Sequence, residues 1–375
     1  MNGFIKRLSK FSVAFLAISQ AACLAASAQL TPAEPDPLAR IRDAAKTNVQ
    51  ACSATEETLC EQVAPKIIAN AQGDSPFAEN IRRLMEGARG PDPASPREAP
   101  VVQWALAAFQ NAGVAVRTEE YLVAPKSTHN AVAEIVVAEI RGREKPDEWV
   151  LLGADLDPSD SGDVAVDAAC NAALVIESAR DIQLTGVRPR RSVRFVLFGG
   201  ERQGMTGPWA YAKGHRMELD RARAAVLFDA AANPLNDFVL NGRRDLEPGV
   251  REAMKPIESM GVTGLSYGAP LETGSIDFLL EGIPTLLATS SEPNNSASQR
   301  ASSNAIDKID LKELKRNTAI AAVTAFGLAE RAEPIGARQS RGEIETLLNA
   351  TGLADKMKTE DIWPLWESGK RGRVP

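Results

Sequence analysis

The chain has 375 residues, 44% of them hydrophobic and 5% aromatic, with 43 Lys and Arg against 49 Asp and Glu for a formal net charge of −6. That is enough apolar material for one sizeable α/β core with an appendage. Charges of both signs are interspersed and no basic cluster carries aromatics between its charges, which argues against nucleic-acid binding.

The N-terminus reads as a targeting segment. Lys6, Arg7 and Lys10 form a basic start, Phe11 to Leu24 is apolar, and Ala26-Ser27-Ala28 is a small-residue cleavage site, so the mature protein is expected to begin at Gln29 and leave the cytoplasm, periplasmic or secreted. Lipoprotein processing before Cys23 is the alternative, weakened by the absence of an aliphatic-led lipobox. No later stretch approaches the ~20 apolar residues of a membrane span. The mature chain keeps Cys52, Cys60 and Cys170. In an oxidising compartment Cys52 and Cys60, closing a short polar loop, are expected to form a disulfide, and Cys170 reads as a small buried apolar residue.

A helical N-terminal extension is expected over residues 29–95, with helical patterning at Leu38 to Val49, Glu56 to Ala71 and Phe77 to Gly87. The main domain spans residues 96–333. Its helix Val101 to Ala112 leads to paired strands at Ala115 to Val123 and Ala131 to Ile140. Apolar runs then recur at Trp149 to Ala154, Val193 to Phe198 and Ala224 to Phe228, each of a length suited to a buried parallel strand. They lead into Asp155-Leu-Asp157, Gly-Gly-Glu201-Arg202 and Asp229, and Asp167 opens the helical pattern between the first two. Helix Met205 to Lys213, an edge strand at Asp237 to Leu240, helix Pro248 to Met260, a turn at Gly264 to Pro270, helical Ser275 to Glu281 and strand Pro284 to Ala288 follow. Leu311 to Arg331 is a long closing helix. Residues 334–375 form a polar, basic tail, with Trp363 and Trp366 as anchors onto the domain or onto a partner, and with disorder expected beyond Ser368. In open α/β sheets ligands sit beyond the carboxyl ends of the strands, so Asp155, Asp157, Asp167, Glu201 and Asp229 should converge in one cleft.

Taken together, Asn130-Ala-Val-Ala-Glu-Ile, Leu-Leu-Gly-Ala-Asp155-Leu-Asp157, Asp167-Ala-Ala-Cys-Asn-Ala-Ala, Phe-Gly-Gly-Glu201-Arg202-Gln-Gly-Met-Thr-Gly-Pro-Trp-Ala-Tyr211, Phe228-Asp229, Glu281-Gly-Ile-Pro284 and Ile306-Asp-Lys-Ile-Asp310 resemble metallopeptidase family 28, the co-catalytic zinc amino- and carboxypeptidases, over roughly Pro96 to Arg331. The resemblance implies a three-layer α/β fold, a mainly parallel twisted sheet flanked by helices. It also implies two zinc ions held by a bridging Asp, two His, a Glu and an Asp, beside a Glu that acts as general base. Carried over by position, Asp167 matches the bridging Asp, Asp229 the Asp ligand and Glu201 the base. Asp155 stands where a His belongs, Arg202 where the Glu ligand belongs, and the last His falls near Arg300 in a loop without histidine. The chain's two histidines, His129 and His215, fall on neither ligand position.

An arginine has no acceptor atom and cannot ligate zinc. The resemblance therefore implies a divergent member with no zinc cofactor, a pseudo-peptidase that binds a peptide or protein partner. Arg202 is expected to pair with Asp167 or Asp229, and Arg300 to lie near Asp155. The alternative is a hydrolase with a single Ca²⁺, Mg²⁺ or Mn²⁺ on the carboxylates, Asp157 in support and Glu201 as base.

Overall fold

The computed structural model describes residues 62–88, 98–123, 131–156, 162–199, 206–229, 231, 233–289 and 309–375. Three helices come first, α1 (Ala64–Gln72), α2 (Phe77–Ala88) and α3 (Glu98–Asn111). They are followed by β1 (Ala115–Val123), β2 (Ala131–Ile140), β3 (Lys145–Asp155), α4 (Gly162–Leu184), β4 (Arg191–Phe198), α5 (Thr206–Gly214), β5 (Ala222–Phe228) and β6 (Asp237–Val239). Next come α6 (Glu247–Met254), β7 (Gly264–Ser266), α7 (Ser275–Leu280), β8 (Thr285–Thr289) and α8 (Leu311–Glu330). The chain closes with α9 (Arg341–Ala350), α10 (Leu353–Thr359) and α11 (Trp363–Glu367).

The strands form one eight-stranded sheet in the order β1-β2-β4-β3-β5-β8-β6-β7. Its centre, β4-β3-β5-β8, is parallel throughout. Antiparallel β1 and β2 extend one side, while β6, antiparallel to β8 and parallel to β7, extends the other. Residues alternate between the faces of each central strand. Val150, Leu152 and Ala154 of β3 join Val193, Phe195 and Leu197 of β4 and Val226 and Phe228 of β5 against one set of helices. Trp149, Leu151, Val196, Phe198, Ala225 and Leu227 face the other way, toward Tyr211 and Phe278 of α5 and α7. Helices therefore cover both faces, which makes three layers.

On the first face α4 lies against the sheet and is in turn covered by α1 and α2. Its residues 168–179 are all buried, as expected of a helix apolar on every side. The second face has a tight point where α5 begins: a Cβ on Gly207 would meet the Gly199 carbonyl oxygen at 2.2 Å, so only glycine lets the helix start there. No helix among the described residues is long and apolar enough to cross a membrane.

The expected strands recur, with β1 and β2 matching their expected bounds. Four details differ. Asp237–Val239 is an interior strand and not an edge, because Gly264–Ser266, expected as a turn, pairs outside it as β7. Three residues are too few to show an alternation that would distinguish strand from turn. Helix α4 starts at Gly162, so Asp167 sits inside it instead of opening it. The stretch 248–260 changes from α to 3₁₀ at Lys255, just before Pro256, which cannot donate into an α-helical ladder. Finally, the chain beyond Ser368 is ordered. Arg371 is 6% exposed and grips buried Asp277 bidentately, Nε to Oδ1 at 2.7 Å and Nη2 to Oδ2 at 2.9 Å.

Candidate functional site

The parallel centre aligns the carboxyl ends of β3, β4, β5 and β8 along one edge. Asp155 ends β3, level with Phe198 of β4. On the other side Gly153 is level with Leu227 of β5, and Asp229 follows the last residue of that strand, so both acids leave the sheet at the same edge. Asp167 comes to the same end from α4. Its charge is felt at Asp229, whose carboxyl is pushed up to about 6 by burial first and by Asp167 second. Asp229 nonetheless reaches solvent, so the surrounding protein mass, not full enclosure, is the source of the shift. Asp167 also adds to burial in raising the Cys170 thiol, leaving Cys170 an inert buried residue.

Two asparagines that the sequence did not single out lie behind this edge. Asn171, one turn beyond Asp167 on α4, accepts the Ala231 N–H at Oδ1 across 2.7 Å. Asn317, in the middle of α8, donates from Nδ2 to the carbonyls of Ala231 at 2.8 Å and Asn233 at 2.7 Å. The signal for Asn171 was a polar residue within an apolar helical stretch; Asn317, next to Lys315, Arg316 and Thr318, carried no such signal.

Glu201, Arg202, Asp157 and Arg300 lie outside the described residues, as do Cys52, Cys60 and His129. His215 is described and sits elsewhere, between α5 and β1. Its Nε2 faces Glu119 Oε2 at 2.7 Å and its Nδ1 faces Glu218. It links two carboxylates from different elements. The Glu119 carboxyl, opposed by burial but hydrogen-bonded by His215 and Tyr121, is held down at about 2. The donors that the described residues bring to the sheet edge are therefore Asp155, Asp167 and Asp229, all oxygen. No group of three or more His, Cys, Asp or Glu placed to hold a metal ion occurs among the described residues.

An eight-stranded mixed sheet with acids at the carboxyl ends of its central strands agrees with the family resemblance, and direct comparison settles it. The model of Peptidase family M28 matches residues 135–325, half of the chain. The chain belongs to peptidase family M28. Human carboxypeptidase Q is 29% identical over 150 residues, covering 40% of this chain and 31% of the human protein. This family member thus spans about a third of the curated relatives it matches. Among solved structures, the Peptidase M28 precursor of Shewanella amazonensis superposes with a TM-score of 0.64 at 16% identity, covering 79% of this chain and 100% of the other. A zinc aminopeptidase from Bacillus subtilis superposes with a TM-score of 0.56 at 12% identity, covering 72% and 100%. At those identities the likeness is one of fold.

Proposed function

We propose that this M28 member is an exported pseudo-peptidase: it keeps the family's sheet-edge cleft to bind a peptide or protein partner and has lost the two-zinc centre. The observation that carries the reading is Asp155. It ends β3 at the sheet edge that Asp229 follows out of β5, which supports reading the exchange of imidazole for carboxylate as falling at the ligand position. Zinc centres of this type draw on nitrogen as well as oxygen donors at ~2.0–2.3 Å. The described donors are carboxylates alone, and His215 is committed to Glu119 and Glu218. These residues do not fit a two-zinc site with two histidine ligands. In the sequence, Arg202 and Arg300 at the substituted positions carry +2, half the charge of two zinc ions, against −3 from the three aspartates.

The test is metal analysis of protein purified from the exported fraction, with aminoacyl and dipeptide hydrolysis followed with and without chelator. The expected result is no stoichiometric zinc and no chelator-sensitive cleavage. Two bound zinc ions with such cleavage would overturn the reading. One Ca²⁺, Mg²⁺ or Mn²⁺ per chain with Glu201-dependent hydrolysis would favour the oxygen-ligated hydrolase instead. Arg202→Glu alone should restore nothing; Asp155→His, Arg202→Glu and Arg300→His together are the fair attempt. Intact-mass measurement with and without reduction checks both a start at Gln29 and a Cys52–Cys60 disulfide.

A further inference from the structure

After Asp229, residues 231 and 233–235 belong to no strand and are held by side chains instead. Ala231 is gripped on both sides of its backbone. Its N–H goes to Asn171 Oδ1 at 2.7 Å and its carbonyl accepts from Asn317 Nδ2 at 2.8 Å. Asn317 is completely buried and uses its whole hydrogen-bonding capacity. Nδ2 also donates to the Asn233 carbonyl at 2.7 Å, while Oδ1 accepts from the Leu235 N–H at 3.3 Å and from Arg316 Nη1 at 3.1 Å. Arg316 Nη2 completes the set on the Leu235 carbonyl at 3.0 Å. A carboxylate that feels a like charge and reaches solvent would swing outward on a loose loop at little cost. This segment is not loose, and the residue that tethers it at Ala231 shares a helix face with Asp167, four positions earlier.

We propose that Asn171 and Asn317 are positioning residues, which hold the Asp229 carboxylate at a set separation from Asp167, so that α4 and α8 together fix the spacing of the pair. The inference rests on reading this sheet edge as the ligand cleft and is independent of whether zinc has been lost.

Crystal structures and amide hydrogen exchange of Asn171→Ala and Asn317→Ala test it, with Ser178→Ala as control. Ser178 is equally buried on α4 and touches α8 but not the 231–235 segment. In Asn171→Ala the Ala231 amide should exchange roughly 100-fold faster, and the Asp229 carboxylate should move from Asp167 by more than about 0.5 Å, the tolerance of a preorganised site. Asn171→Asp keeps the acceptor and should recover the Ala231 protection. In Asn317→Ala the loss should extend to Leu235. The single-bond variant Asn171→Ala keeps the test decisive if Asn317→Ala does not fold. An unmoved Asp229 in Asn171→Ala, or an equal movement in Ser178→Ala, would overturn the proposal. Neither outcome depends on any ligand, so the zinc question remains separate.

Discussion

Two seams of this molecule each bury a pair of carboxylates, and they neutralise them differently. Between α7 and the C-terminal segment, Asp277 and Glu281 are each 1% exposed. Asp277 holds Arg371 bidentately, and Glu281 takes Arg216 at 2.8 Å and Arg338 at 2.9 Å. Burial pushes both acids upward, but each faces a guanidinium that favours the charged form. Between α4 and the N-terminal helices, Glu177 and Asp181 are likewise each 1% exposed and lie one turn apart. There the partners are an amide, Asn80 Nδ2 to Glu177 at 2.6 Å, the Ser75 side chain at Glu177, and a partly exposed Arg180, 3.2 Å from Asp181 and 3.8 Å from Glu177, with the Lys315 charge acting on both acids. One Asp181 oxygen has no hydrogen-bond partner among the described residues. Burial and the Glu177 charge push Asp181 up to about 8, and Glu177 also rises, burial being the main cause. Burial raises the carboxyls in both seams; the first sets two or more guanidiniums against it, while the second has sparser counter-charge and takes Asp181 up to about 8.

The most severe way to break the contrast is to remove the arginine from the first seam. Arg371→Ala should lower unfolding free energy by about 3–5 kcal/mol in urea titration, because it leaves Asp277 buried and unpaired. Asp277→Leu with Arg371→Met should recover most of that loss. Unchanged stability in Arg371→Ala would show that Asp277 is already protonated in the folded protein.

The second seam should reveal its proton in the pH dependence. A carboxyl whose folded value exceeds its unfolded one is bound to a proton when folded while the unfolded chain has released it. Its contribution is therefore complete below the ordinary aspartate range, declines as pH rises, and is exhausted above about 8, where the folded group ionises too. The slope attributable to Asp181 is at most about 1.4 kcal/mol per pH unit. Urea midpoints of the wild type should fall relative to those of Asp181→Asn between pH 5 and 8 and run parallel above that. Parallel curves over the whole range would mean that Asp181 is ionised in the folded protein.

Asn80→Ala, which takes the amide from Glu177, should cost about 1–2 kcal/mol and increase the pH dependence. The smallest effect belongs to the surface of the same helix, where Glu79, Arg82, Arg83 and Glu86 form a solvent-exposed ladder. Arg82→Ala should leave the urea midpoint unchanged within error, since screened pairs contribute little. A large shift there would show that α2 is held by its outer face and not by the acid seam.

Much of the architecture could be read without coordinates. The apolar runs at 149–154, 193–198 and 224–228 could satisfy their backbone and side chains together only as central strands, and the aspartates that follow them mark one edge of the sheet. The C-terminal segment was the opposite case. Its polar, basic composition suggests disorder, yet Gly372, at φ +84° with Trp366 carbons 2.8 Å from where a Cβ would stand, lets the chain fold back so that Arg371 meets Asp277, 94 residues earlier.

What the sequence determined by itself was local: the period of apolar residues, the ends of the strands, and the carboxylates that follow them, Asp155 and Asp229. Only the tertiary structure decided the pairings, such as Asn317 with backbone groups more than 80 residues away, His215 between Glu119 and Glu218, and Arg371 for buried Asp277 but the Asn80 amide for buried Glu177. The reason is that an amide or a charge written in a sequence states what it can bond but not with what. Its partner is chosen by which groups the packed core leaves within 3 Å, and by whether water is excluded there.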